Sequence, residues 1–347
     1  MNRRQFLTTT ASATALVAAP SPLHAAESSR RIPIGFLGAT YSHGPDKIKL
    51  AQTSPDWEFV GVCDAIPAGR ETCAKLGAKL VSQDELFQRA RVIAVESDIR
   101  DHAAHAMQAL RAGKHVHLEK PPATNLADLQ AIIALARQKQ LLLQTGFMWR
   151  YHPGFRAIFE AAREGWLGEV FLVRGFISNN LSAPRRVEWA EFSGGSMFDL
   201  GSHLVDASVR LLGKPKSVTP FARHHGRFED SLRDNNVAVL EYDRAMAVLT
   251  NTALQAGATP ARSFEVLGTR GTALLQPIEP PTLTLDLTQP VGPYAKGAQQ
   301  VPLPAYRRYE ADFAELAAAV RGERPLTATL DDELAVAETV LRASNMP

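Results

Sequence analysis

Residues 92–122 read VIAVESDIRDHAAHAMQALRAGKHVHLEKPP, and their order decides the fold. Val92 to Glu96 is a short apolar run of the kind that forms a buried strand. Asp101 to Ala112 carries a helical pattern, and Gly113 stands where a helix C-cap favours glycine. His115 to Leu118 is a second apolar-alternating run, and it stops at Pro121-Pro122. Proline cannot continue a central strand, and it holds the preceding residue extended. Lys120 is therefore expected at the carboxyl end of a strand, the edge at which open α/β sheets bind ligands.

The same unit repeats on either side. Strands are expected at Ile32–Gly38, Trp57–Cys63 and Leu141–Thr145, with helices at Asp46–Gln52, Pro67–Leu76 and Leu126–Gln138. Strand–helix alternation at this spacing predicts a Rossmann-type, doubly wound parallel sheet over residues 30–150. From Glu169 the pattern changes to longer, half-polar strands: Glu169–Ser178, Ser217–Arg223, Asn236–Tyr242, Ala247–Leu254, Ser263–Thr269 and Ala273–Gln276. Residues 151–347 then form an α+β domain around an open, mostly antiparallel sheet with helices on one face. Its carboxyl-terminal helices are free to pack back on the first domain.

After the first strand the chain reads Gly38-Ala39-Thr40-Tyr41-Ser42-His43-Gly44. A dinucleotide fold wants Gly-x-Gly-x-x-Gly here, so that the chain turns tightly and backbone approaches a pyrophosphate. Gly38 fits, while Thr40 and His43 replace the second and third glycines. Asp64, an acid 26 residues after Gly38 at the end of the second strand, is placed to bind ribose hydroxyls. No arginine follows it immediately, which favours NAD over NADP.

One helix is set into the second half, Ser196 to Leu212, after Gly194-Gly195. Its Asp199, His203 and Asp206 are spaced by four and three and share a helical face. A carboxylate one turn from a histidine can orient the imidazole and raise its basicity. Asp206 is expected to pair with Arg210 at i+4.

The chain has 347 residues, is 45% hydrophobic and 21% charged, and carries a net charge of +2. That balance fits two globular domains and offers neither a nucleic-acid face nor a basic membrane patch. Two cysteines, Cys63 and Cys73, cannot make a disulfide framework. No cysteine–histidine cluster, His-Glu-x-x-His or Gly-x-Ser-x-Gly motif occurs, so neither a catalytic metal nor a serine nucleophile is expected. Residues 1–26 read as an export signal. Arg3-Arg4-Gln5-Phe6-Leu7 is a twin-arginine motif, followed by a weakly apolar stretch and small residues at Ala25-Ala26. The stretch is too short to span a bilayer stably. The twin-arginine translocase is an expected partner, and the periplasm or exterior the expected location.

Four segments resemble the Gfo/Idh/MocA oxidoreductases. Ala109 to Pro121 is similar to the family's Glu-Lys-Pro segment, and Gly146 to Pro153 to its crossover into the second domain. Gly194 to Asp206 is similar to its Asp-x-Gly-x-His-x-x-Asp helix, and Gly268 to Thr272 to its late hairpin. The resemblance implies that Lys120 contacts the reacting hydroxyl and the nicotinamide ribose, with Asp199 and His203 as the acid–base pair. Gly38, Thr40, His43 and Asp64, read from the turn and the second strand, form the expected cofactor set together with Glu96, Glu119 and Lys120, and Tyr151, His152, Lys120 and His203 form the expected substrate set. The implied reaction is NAD-dependent oxidation of a secondary hydroxyl on a sugar or polyol. Two other readings stay open: glycoside cleavage through transient oxidation, and a non-catalytic carbohydrate-binding protein. A broad open sheet face predicts a homodimer or homotetramer.

Overall fold

A computed structural model describes residues 31–347; the twin-arginine segment lies outside the described residues. The first domain is a parallel sheet of β1 (Ile32–Leu37), β2 (Trp57–Cys63), β3 (Val92–Val95), β4 (His115–Leu118) and β5 (Leu143–Thr145) in the order β2-β1-β3-β4-β5. A one-residue bridge, Val62 to Leu80, extends it beyond β2. The strand order reverses between β1 and β3, and the carboxyl ends of these two strands open the crevice where such sheets take ligands.

Helices α1 (Gly44–Thr53), α2 (Pro67–Leu76), α3 (Gln83–Arg89), α4 (Ile99–Arg111) and α5 (Leu126–Gln138) connect the strands. Local chemistry sets their ends. Pro67 starts α2, and Gly77, with φ of +60°, ends it. Asn125 caps α5 by accepting the Asp128 N–H. The four residues of β3 are all buried, as a strand covered on both faces requires.

The second domain contains β6 (Val170–Ser178), β7 (Ser217–Arg223), β8 (Asn235–Glu241), β9 (Met246–Thr252), β10 (Ser263–Gly268), β11 (Gly271–Leu275), β12 (Leu283–Leu287) and β13 (Gly297–Val301). Their order is β13-β12-β11-β10-β6-β9-β8-β7. β6 pairs with β9 in parallel, and the other neighbours are antiparallel. Helices α6 (Pro153–Arg163), α7 (Ala183–Ala190), α8 (Ser202–Leu212), α9 (Glu310–Val320) and α10 (Leu330–Ala343) complete the chain.

α6, α8 and α10 lie against the sheet's inner face, where Val173, Leu204, Leu249 and Phe264 are fully buried. The other face is half-exposed, with Phe176, Thr250, Val237 and Phe221 in one cross-strand row. α9 packs back on the first domain, its Phe313 edge-on to Trp57 at 5.9 Å between ring centroids. Burying Phe313 and Leu316 contributes about 1.5–3 kcal/mol each to holding the two halves together. No helix of the described residues is long and apolar enough to cross a membrane.

Most expected strands and helices fall within two residues of their observed bounds. The sequence reading missed α3, α6, α7, β12 and β13. Cys63 and Cys73 are free thiols.

Candidate functional site

Lys120 lies two residues beyond β4, at the carboxyl edge of the sheet, and is 3% exposed. Its ammonium reaches out of the first domain. Nζ donates to Asp199 Oδ1 at 2.5 Å and to the Asp199 carbonyl at 3.1 Å. Asp199 lies in a π-helical turn, Met197–Gly201, which leads into α8. Such single turns are frequent at functional sites. Gly195, with φ of +52°, lets the start of this turn pack on the Arg233 backbone, since a Cβ there would stand 2.5 Å from the Arg233 carbonyl oxygen.

His203, on the first turn of α8, is 3% exposed. Its ring lies 4.9 Å from Trp149 and edge-on to Phe147 at 5.9 Å. Burial, and then the Lys120 charge, hold its pKa well below 6.5. Its buried Nδ1 has no hydrogen-bond partner. The imidazole is therefore neutral at pH 7 and able to accept a proton. The expected hydrogen bond from Asp199 to His203 does not form. The carboxylate bonds Lys120 and the Tyr41 hydroxyl instead, because the wider π turn moves Asp199 out of α-helical i+4 register. Asp206 is also not paired with Arg210. Arg150 donates to its Oδ1 from Nε and Nη2 at 2.9 and 2.7 Å, and from Nη1 and the shared Nη2 to Glu333 on α10. That cross-link fixes α8 behind His203.

The cofactor set divides in two. Gly38 turns with φ of +83°, and a Cβ there would sit 2.5 Å from Ser97 Cα. Asp64 accepts the Ala39 and Ile66 N–H groups at 2.8 and 2.7 Å. A carboxylate accepts about four hydrogen bonds, so capacity remains for ribose hydroxyls. The Thr40 hydroxyl is buried without a partner. The turn and Asp64 thus fit a dinucleotide.

Glu96 and Glu119 lie lower, fully buried beneath the turn. Both bond the ammonium of Lys47, which also donates to His117 Nε2 at 2.9 Å. Glu119 Oε1 takes His43 Nδ1 at 3.2 Å and the Lys120 N–H at 2.9 Å. Burial pushes Glu96 upward; Glu119 is held well below the usual range despite its burial, by Lys47 and then His43. Glu96, His117 and Glu119 offer ligand atoms within 4.8 Å of one another, a grouping that could hold a metal. The Lys47 ammonium bonds all three, so the position is filled by a cation of the chain itself. Glu96 and Glu119, expected in the cofactor set, are here fully buried and bonded to Lys47 beneath the turn.

Tyr151 and His152, expected in the substrate set, bond other parts of the chain. The Tyr151 hydroxyl bonds Glu315 on α9 at 2.5 Å. His152 is fully buried; its Nδ1 accepts the Gly154 N–H and caps α6, and its Nε2 bonds the Ile278 carbonyl at 3.0 Å. Neither has a free polar atom to give a substrate. Tyr41, Lys47 and Arg150 were the residues missed. Lys47 had left a signal: it shares a helical stripe with Gly44, Ile48 and Ala51, all buried.

Residues 32–147 match a family model described as "Oxidoreductase family, NAD-binding Rossmann fold", and residues 155–274 match the GFO/IDH/MocA C-terminal domain. Trans-1,2-dihydrobenzene-1,2-diol dehydrogenase of Macaca fuscata fuscata is 31% identical over 185 residues, which span 52% of this chain and only 54% of that protein. 1,5-Anhydro-D-fructose reductase of Ensifer adhaerens is 26% identical over 319 residues, 89% of this chain and 91% of the other. The crystal structure of GenD2 from gentamicin A biosynthesis, in complex with NAD, superposes with a TM-score of 0.75 at 24% identity, covering 91% of this chain and 94% of that one. The superposition shows a shared fold.

Proposed function

We propose that this chain, which belongs to the GFO/IDH/MocA oxidoreductase family, oxidises a secondary hydroxyl of a sugar, polyol or related carbohydrate with NAD. The observation that carries the reading is the 2.5 Å contact between Lys120 and Asp199. It joins the carboxyl edge of the dinucleotide-type sheet to the helix that bears His203. The dehydrogenase and reductase activities in the names of the two relatives support it.

Gly38 and the α1 amino terminus would hold the pyrophosphate, and Asp64 the ribose hydroxyls. The bound nicotinamide supplies the acceptor for a hydride from carbon. The alcohol oxygen must lose its proton as that carbon–hydrogen bond breaks, and neutral His203 is the group placed to take it. Lys120, aimed by its bond to Asp199, stabilises negative charge developing on the oxygen. Trp149 and Phe147, flanking the imidazole, keep water from it.

The twin-arginine reading adds a periplasmic or extracellular location and a reason for tight cofactor binding. A protein that folds around NAD before export has to retain it afterwards and restore it within the same molecule. The half-exposed row of Phe176, Val237 and Phe221 supports sheet-to-sheet pairing into a homodimer or homotetramer.

The test is a panel of glycosides, free hexoses and cyclitols given to the purified protein with NAD. Absorbance of the protein-bound nicotinamide is followed, since its reduction reports hydride transfer, and products are identified by mass spectrometry. Ketone formation from one panel member is expected. Glycoside cleavage without a ketone product would replace the reading with oxidation-assisted elimination. No reaction together with no NAD binding would leave a carbohydrate-binding protein.

A further inference from the structure

The turn that departs from the glycine pattern delivers a tyrosine to the reaction centre. Beyond Gly38, the Tyr41 N–H bonds the Glu96 carbonyl at 3.0 Å, and the Gly44 N–H returns to the Tyr41 carbonyl at 2.9 Å. The backbone on both sides of Tyr41 is thereby fixed. Its side chain, in a residue 8% exposed, crosses from the first domain to the second. The ring lies edge-on to His43 at 5.2 Å and tilted against His102 at 5.6 Å. The Lys120 ammonium stands 5.3 Å from its centroid, within the range of a cation–π contact.

The hydroxyl is 3.1 Å from Asp199 Oδ1. That oxygen is also the one bonded by Lys120 Nζ. Two donors thus meet on a single carboxylate oxygen, one from each side of the crevice edge. Among the described residues no protein donor reaches Asp199 Oδ2, and the Asp199 side chain keeps 10% of its surface exposed. Burial, and then the negative charge of Asp199, push the Tyr41 pKa well above 10. The tyrosine is therefore a fixed donor at neutral pH and cannot serve as the base.

A carboxylate held by one donor pivots about its Cβ–Cγ bond, and either oxygen can take that donor. Two donors on the same oxygen select one orientation. We propose that Tyr41 is a positioning residue: it pins Asp199 Oδ1, which keeps Lys120 aimed at the reacting oxygen. The inference rests on the oxidoreductase reading above and deepens it. It also gives the substituted turn a use, since the loop that would cradle the cofactor carries the tyrosine as well.

Tyr41→Phe removes one oxygen and leaves the ring packing in place. The variant is compared with the unaltered protein in three ways: NAD affinity by calorimetry, kcat and KM on the panel member that reacts, and a crystal structure. Unchanged NAD affinity is expected, with kcat lower by about 10- to 100-fold, the scale of one hydrogen bond to a charged group. KM should change far less than kcat, and the crystal structure should show Asp199 rotated away from Lys120. Unaltered kcat would overturn the proposal. So would loss of NAD binding in step with turnover, which would mark Tyr41 as a cofactor-loop residue only. If the unaltered protein oxidises nothing on the panel, the functional reading fails by itself. The structures still decide the role of Tyr41, because a Lys120–Asp199 contact that survives the substitution refutes positioning.

Discussion

Replacing Lys47 with methionine tests the buried charge cluster beneath the glycine turn. Methionine is close to lysine in length and keeps the packing, but it removes the cation that Glu96, Glu119 and His117 share. Burial already favours a proton on Glu96. Glu119 is the carboxylate kept ionised, chiefly by Lys47. Without Lys47, Glu119 must either stay charged in a dry site or take up a proton on folding. A glutamate titrates near 4.3 when unfolded, and each pH unit above that costs about 1.4 kcal/mol if the folded group is neutral. The cost is about 4 kcal/mol at pH 7 and about 1 kcal/mol at pH 5. The larger figure agrees with the usual penalty of about 3–5 kcal/mol for breaking a buried pair from one side. The sign follows from a folded pKa raised above the unfolded one: the loss is absent below the unfolded pKa and grows as pH rises toward the folded value. Urea unfolding of Lys47→Met and the unaltered protein at both pH values, followed by fluorescence of the four tryptophans, measures it. Equal destabilisation at pH 5 and pH 7, or none at either, refutes the reasoning.

Lys120→Ala and His203→Ala should each lower turnover by about 100-fold or more, the scale of a positioned acid–base group, while remaining folded by circular dichroism; near-normal turnover in either would remove its assigned role. Because burial and Lys120 depress the His203 pKa, the base form persists in acid. The acid limb of kcat/KM should therefore fall below pH 6.5, and a limb at or above that value would mean that another group is the base. Light scattering at micromolar concentration should give a dimer or larger, and Phe221→Lys, in the row with Phe176 and Val237, should shift it toward monomer. A monomer mass for the unaltered protein would contradict the proposed sheet pairing.

Much of the fold was legible because its punctuation is local. Gly77, Gly113 and Pro67 mark helix ends by backbone conformation alone, and the buried runs of β1 to β4 need no partner to be recognised. α3 escaped because only Leu86 on it is buried, too little for a periodic stripe, although Ser82 and Glu85 form a readable cap. Prolines at 277, 280 and 281 hid the alternation of β12, and β13 is a polar edge strand without an apolar pattern. At the site, Lys120, Asp199 and His203 were legible through the spacing of their segments. The error lay in joining Asp199 to His203, since an α-helical repeat was assumed where the chain makes a π turn. Tyr41 and Lys47 could not be assigned partners from sequence. Tyr41 meets Asp199 across 158 positions, through the packing of the two domains, and Lys47 meets Glu119 across 72, through the packing of α1 on the first sheet. The partners of Tyr151 and His152 were not legible either, because Glu315 on α9 and the Ile278 carbonyl lie more than 120 positions away.

The central claim is that the chain holds a nicotinamide dinucleotide at the Gly38 turn beside Lys120. The purified protein is dialysed extensively and denatured, and the supernatant is analysed by absorbance and mass spectrometry. The account predicts about one NAD or NADH released per chain, since one turn and one ribose-binding acid form a single dinucleotide site. A supernatant without nicotinamide nucleotide, from a protein that also gives no heat on titration with NAD, would contradict it.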